Sequence, residues 1–149
     1  MRTIADTRVL AALTRRLETV SATHPRVWGT MDAHQMLVHL GDGAEAVLKR
    51  RPFTAPSRPA SRVLKWVALR LPVPWPRGVR SGAEPASRVL SAEAFPADRD
   101  RAVRTLRELA AAPDDALVDR HPIFGPMRRV EWQRWAFLHT DHHLRQFGL

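Results

Sequence analysis

The chain has 149 residues, 44% of them apolar, an ordinary balance for one globular domain with a buried core. It has no cysteine, which excludes disulfides, thiolate metal ligands and a cysteine nucleophile, and no apolar run approaches the roughly 20 residues of a membrane-crossing helix. The net charge of +9 resides in residues 49–90, where ten basic side chains meet one acid, Glu84; the rest of the chain carries 14 of each sign. That segment lacks the aromatic interleaving of a single-strand nucleic-acid binder and reads as a solvated, arginine-rich loop.

Met1–Asp6 lacks the uninterrupted apolar region of a secretory signal and leads into a first helix predicted over residues 3–22. Val9, Leu10, Leu13, Leu17 and Val20 recur there at helical spacing, and His24-Pro25 ends it, because the residue before proline is pushed out of the α region. A second helix is predicted over 31–49, with Thr30 as N-cap, Asp32 in the first turn, and Met36, Leu37, Leu40, Ala44, Val47 and Leu48 as its apolar stripe. Gly41 and Gly43 are poor helix formers that allow close approach of a neighbour or a ligand.

Residues 51–96 hold eight of the twelve prolines. A structureless connection that long is unusual in a compact domain, so a short helix is placed at 60–71, with Val63, Leu64, Val67, Ala68 and Leu71 on its apolar side. The prolines of Leu71–Pro76 demand extended chain. A third long helix is predicted over 97–112, with Val103, Leu106, Leu109 and Ala110 inward and Asp98 and Asp100 near its start. His121–Pro126 reads as a tight loop, and a fourth long helix runs over 128–147 to a natural stop at Gly148. Strand-like alternation is almost absent. Four long helices joined short, long, short describe an all-α, single-domain four-helix bundle spanning 1–149, with a long crossover, basic and proline-rich at 51–96, between helices two and three.

The chemistry concentrates at the end of the chain. His139 and His143 are four apart, which stacks two imidazoles one turn apart on one helix face; His139 and His142, three apart, compete with that pair. Such a pair binds a divalent metal when another element brings a third ligand. Helix two offers His34 and His39, five apart and thus about 140° around the helix, so only one can join. His39 is preferred because it lies in mid-helix on the Gly43 side, whereas His34 sits near the rim. Gln35, Asp42 and Glu45 are near enough to hold the imidazole tautomer. His24 and His121 precede prolines and suit turn or cap roles. No glutamate follows His139, so the zinc-protease pattern with its own general base is missing.

The stretch Trp28–Asp42, the loop His121–Pro126, Trp132, and the terminal His139-Thr140-Asp141-His142-His143-Leu144-Arg145-Gln146-Phe147-Gly148 together resemble the DinB/YfiT-like superfamily, more narrowly a bacterial branch described only as a domain of unknown function. The likeness covers most of the chain outside 51–96. It implies a four-helix bundle with the same long crossover. It also implies a divalent ion, zinc or nickel, on one helix-two histidine and a four-apart pair of the last helix; carried over, these are His39, His139 and His143, and His142 becomes a neighbour. The activity implied is that of a metal-dependent hydrolase or a thiol S-transferase acting on a small molecule. A metal with three neutral imidazoles keeps an open position and its full charge. Hydrolysis would then draw a base from Asp42, Glu45 or Asp141, while thiol transfer needs no protein nucleophile and suits a cysteine-free chain. Arg145 or arginines of 49–90 are candidates to hold a substrate carboxylate or phosphate, and Trp28, Trp66, Trp132 and Trp135 are candidate pocket walls, though core by default. Expected partners are the small-molecule substrate and, as an option, a second copy of the chain, with no nucleic acid and no membrane; the expected location is the cytoplasm. The alternative is a non-catalytic binding module that uses the basic 49–90 segment, with structural histidines.

Overall fold

The structure is a computed structural model describing residues 1–53, 62–71, 74–77 and 89–149. Among these residues the chain is mostly helical: α1 (Thr7–Glu18), α2 (Ala33–Val47), α3 (Arg62–Arg70), α4 (Phe95–Ala111) and α5 (Arg129–Gln146), with one two-stranded antiparallel sheet, β1 (Arg120–His121) against β2 (Gly125–Pro126). The helix α4 packs against α1 and α2, and α5 packs against α1, α2, α3 and α4.

At the starts of α1, α2 and α5 a side chain satisfies a free backbone amide. Asp6 accepts from the Arg8 and Val9 amides, so α1 starts four residues after the predicted residue 3, and it ends at Glu18 and not at 22. Asp32, not Thr30, caps α2: its carboxylate accepts from the Gln35 amide at 2.8 Å, and the Gln35 side chain accepts from the Asp32 amide at 2.9 Å. That reciprocal box occupies Gln35, which therefore anchors a helix end. Pro96 stands in the first turn of α4, where its missing N–H costs nothing. Glu131 accepts from the Arg128 amide at the start of α5, and Gly148, at φ +75°, ends it.

The apolar stripes meet in one core. Leu13 and Leu17 of α1, Met36, Leu37 and Val47 of α2, Leu106 and Leu109 of α4, and Trp132 and Leu144 of α5 are buried. Each such side chain contributes about 1.5–3 kcal/mol by leaving water. The helices α2 and α5 are buried on nearly every side, so polar groups on them face protein rather than solvent. The indole of Trp132 is fully enclosed and donates to the Val118 carbonyl at 2.7 Å, while the Val118 amide donates to the Val47 carbonyl at 2.9 Å; together they tie the end of α2 to α5.

Two expectations fail in instructive ways. The loop at His121–Pro126 is a miniature hairpin, because the His121 ring organises it: Nδ1 accepts from the amides of Ile123 and Phe124, and the ring stacks on Phe124. The short helix in the crossover exists as α3, but Val63 and Leu64, assigned to its apolar side, are exposed, as is Trp66; Leu69 is its buried residue. What seats α3 is polar. Arg134 of α5 is buried and donates from Nε to the Leu69 carbonyl and from Nη1 to the Arg2 carbonyl, stapling α3 and the N-terminal strand of chain to α5. Of the predicted extended run Leu71–Pro76, residues 72 and 73 lie outside the described residues, and 74–76 have no regular structure. The indole of Trp75 donates to the Ala68 carbonyl at 2.9 Å and so keeps this stretch against α3. No helix among the described residues is long and apolar enough to cross a membrane.

Candidate metal centre

The structure brings His39 of α2 together with His139 and His143 of α5. One ring nitrogen from each lies within 4.8 Å of the others. Ring centroids are 4.9 Å apart for His39–His139, 4.8 Å for His39–His143 and 4.8 Å for His139–His143, all nearly edge to face. His139 and His143 are buried, and His39 keeps part of its surface accessible. The competing His142 points elsewhere, against Trp28 at 4.8 Å. His34 is not at the rim as expected. It is buried, and its Nε2 lies 2.8 Å from the Asp98 carboxylate of α4, on another side of α2.

Local packing explains why the rings converge. Gly43 sits one turn after His39, and a Cβ there would lie 3.3 Å from His139 Cε1 and 3.4 Å from Trp135, so the absent side chain admits the His139 ring. Trp135 stacks on that ring, at 4.6 Å and 20°. Gly41 serves a different neighbour: a Cβ there would press on the Arg101 guanidinium, which bonds Asp42, Glu45 and the Val38 carbonyl.

His143 is held by Gln146, one turn on. Its Nδ1 lies 3.0 Å from Gln146 Oε1, an acceptor, so Nδ1 carries the proton and Nε2 presents its lone pair to the other two rings. Gln146 is itself enclosed. Its amide occupies the space where Gly29, at φ +86°, lacks a Cβ, and its carbonyl accepts from the Val27 amide at 2.7 Å. Nothing in the spacing of the histidines points to Gln146; its fit against Gly29, whose left-handed backbone and missing Cβ make room for this amide, is a purely spatial signal.

Electrostatics keep the three rings neutral. Burial pushes His39 down to about 4, with the nearby Asp42 carboxylate opposing and His142 adding to the fall. Burial also drives His139 well below its ordinary value, with repulsion from His143, His39, His142 and His121 acting in the same direction. Burial dominates at His143 too, reinforced by His39 and opposed by the bond to Gln146. The result is three neutral imidazoles whose ring nitrogens gather in one small volume, the donor set of a divalent metal of zinc or nickel type. His39 Nε2 and His139 Nε2 are 2.9 Å apart, at hydrogen-bonding distance; tetrahedral coordination at ordinary bond lengths would put each pair at about 3.3 Å, so this pair would open by a few tenths of an ångström while separations of up to 4.8 Å within the triad would close. The residues present therefore fit such an ion.

The remaining candidates divide clearly. Asp42 and Glu45 pair with Arg101 and Arg51, and Asp141 pairs with Arg16 and Arg145 at 2.7 Å each. All three carboxylates proposed as bases are thus engaged by guanidinium groups, and Arg145 is drawn to Asp141. Trp132, Trp135 and Phe124 are core, whereas Trp66 is exposed and Trp28 lies half-buried beside His142. Within the basic segment, Lys49 donates to the Asp115 carbonyl, Arg50 pairs with Glu108, Arg51 with Asp42, and Lys65 with Glu131. Arg58, Arg80 and Arg88 lie outside the described residues. His24 and His121 take the structural roles expected: His24 Nε2 bonds the Phe147 carbonyl at the end of α5, and His121 organises the hairpin.

A family model described as protein of unknown function (DUF1569) matches residues 5–148, nearly the whole chain. No curated protein and no solved structure matches it.

Proposed function

The chain belongs to this family of unknown function, DUF1569, and on that footing we propose that it is a divalent-metal-binding protein whose ligands are His39, His139 and His143. In this reading α1, α2, α4 and α5 are the four helices of a DinB-like bundle, and the chain between α2 and α4 is its crossover. The observation that carries the proposal is the convergence of three neutral imidazole nitrogens within 4.8 Å, one of them oriented by the buried Gln146. A zinc or nickel ion held by His39, His139 and His143 would supply Lewis acidity, the property that favours the deprotonated form of a bound thiol or water.

The chain's own residues favour thiol S-transfer over hydrolysis as the reaction type. Asp42, Glu45 and Asp141 are all held in ion pairs with arginines, which directs their oxygens away from a role as base. A thiol substrate brings its own nucleophile, so that chemistry asks of the protein only an apolar, dry setting and a means of orienting the small molecule. Internal pairing of Lys49, Arg50, Arg51 and Lys65 argues against the rival reading of a basic nucleic-acid surface. The absence of cysteine accords with a cytoplasmic setting.

Untagged protein purified in the presence of zinc or nickel is expected to retain about one ion per chain by elemental analysis, and His39→Ala is expected to retain none while keeping its helical circular dichroism. Stoichiometric metal in that variant would remove His39 from the ligand set; no metal in the parent chain would overturn the proposal.

A further inference from the structure

Beside the triad, four residues from three separate segments meet. Trp28, in the loop between α1 and α2, lies 4.8 Å edge-on to His142. Trp75, in the crossover, lies 6.1 Å from His142 and 6.5 Å from His139. The guanidinium carbon of Arg77 sits 5.4 Å above the Trp28 ring. His142 is next to the proposed ligand His143, with ring centroids 5.2 Å apart. The crossover thus reaches over the C-terminal half of α5 and delivers an indole and a cation to the border of the proposed metal position.

Arg77 differs from most of its basic neighbours. Lys49, Arg50, Arg51 and Lys65 are consumed by internal partners, but Arg77 is exposed and makes no ion pair among the described residues. Asp141, the acid that precedes His142 on α5, is already shared by Arg16 and Arg145. A guanidinium laid on an indole face loses little freedom and keeps its in-plane N–H donors directed outward, an arrangement suited to gripping a carboxylate with two parallel bonds. Trp28 and Trp75 add flat apolar surface next to that charge, and His142 adds a ring nitrogen.

We propose that Arg77, Trp28, Trp75 and His142 form a recognition subsite for a small carboxylate bearing a flat or apolar group, which holds such a molecule with its other end toward His39, His139 and His143. The placement rests on the reading of the triad as the reacting centre; the anion grip itself does not. Arg77 is then a positioning residue, and the crossover segment sets substrate choice.

Benzoate and its neutral isostere benzamide test this on chelator-stripped protein, followed by shifts of the indole N–H resonances of Trp28 and Trp75. Benzoate is expected to bind at least about tenfold more tightly than benzamide, as a charge-assisted bond requires. Arg77→Gln is expected to erase that preference while leaving the metal content of the reloaded protein unchanged, and Arg77→Lys to restore part of it. Equal binding of the two probes, binding of neither, or a preference that survives Arg77→Gln would overturn the subsite. Metal content, measured separately, distinguishes the two proposals: an Arg77-dependent preference in protein that holds no metal keeps the subsite and discards the triad as a metal centre, and metal without the preference does the reverse.

Discussion

Chelator-stripped protein is expected to lose about 4 kcal/mol or more of its unfolding free energy between pH 7 and pH 5. Two groups fix the minimum. Burial holds His39 and His121 down at about 4, against an ordinary 6.5 in the unfolded chain. Above 6.5 neither state binds the proton and stability is flat. As the pH falls below 6.5 the unfolded chain is protonated while the folded one is not, so stability drops steadily until the folded rings titrate near 4. At pH 5 each ring accounts for about 2 kcal/mol. His139 and His143, also held below their ordinary value by burial, act in the same direction. Chemical denaturation at a series of pH values measures the slope. His121→Gln removes one contributor outside the triad and is expected to flatten the curve between pH 6.5 and 5. A stability that stays level across this window would mean that the rings are hydrated and not enclosed as described.

The second large effect is steric. Gly43→Leu is expected to lower metal affinity about 100-fold, because the new side chain presses on the His139 ring, whose Cε1 would lie 3.3 Å from the added Cβ, and on Trp135, which is stacked on that ring and would lie 3.4 Å away. Gly41→Leu is the matched control. It adds the same side chain two residues away, but meets only the end of the flexible Arg101 side chain, and its metal affinity is expected to stay near that of the parent. Both variants also exchange glycine for a better helix former, so the propensity gain cancels in the comparison. Competition titration against a chelator gives the two affinities. Equal affinities in the two variants would show that the position of His139 does not matter to the ion.

Both predictions depend on features with different visibility in the sequence. The apolar repeats of Leu13 and Leu17, of Met36, Leu37 and Leu40, and of Leu106 and Leu109 announce their helices because a period of 3.6 has no other physical meaning there. The same geometry places His139 and His143 on one face. Helix starts are less legible, because Thr30 and Asp32 are both good caps and only the reciprocal bond to Gln35 decides between them. The hairpin around His121 has no alternation to detect: it is two residues a side and is held by a side-chain nitrogen. The seating of α3 was misread because it depends on Arg134, a residue 65 positions from Leu69, and not on its own stripe. The burial of His34 has a similar origin, its partner Asp98 standing on α4. Gln146 and Gly29 matter only through what they touch in space, and what singles out Arg77 among the arginines of 49–90 is its place over Trp28. Gly43 reads in the sequence as a poor helix former that allows close approach, and the neighbour it admits, His139, is identified only by how α5 lies against α2.

X-ray absorption on the zinc- or nickel-loaded, untagged protein tests the triad most directly. The account predicts a first shell that includes three imidazole nitrogens at about 2.0–2.1 Å with the outer-ring scattering of histidine, reduced to two in His143→Ala. A first shell made only of oxygen, or one with the same three imidazoles in His143→Ala, would contradict it.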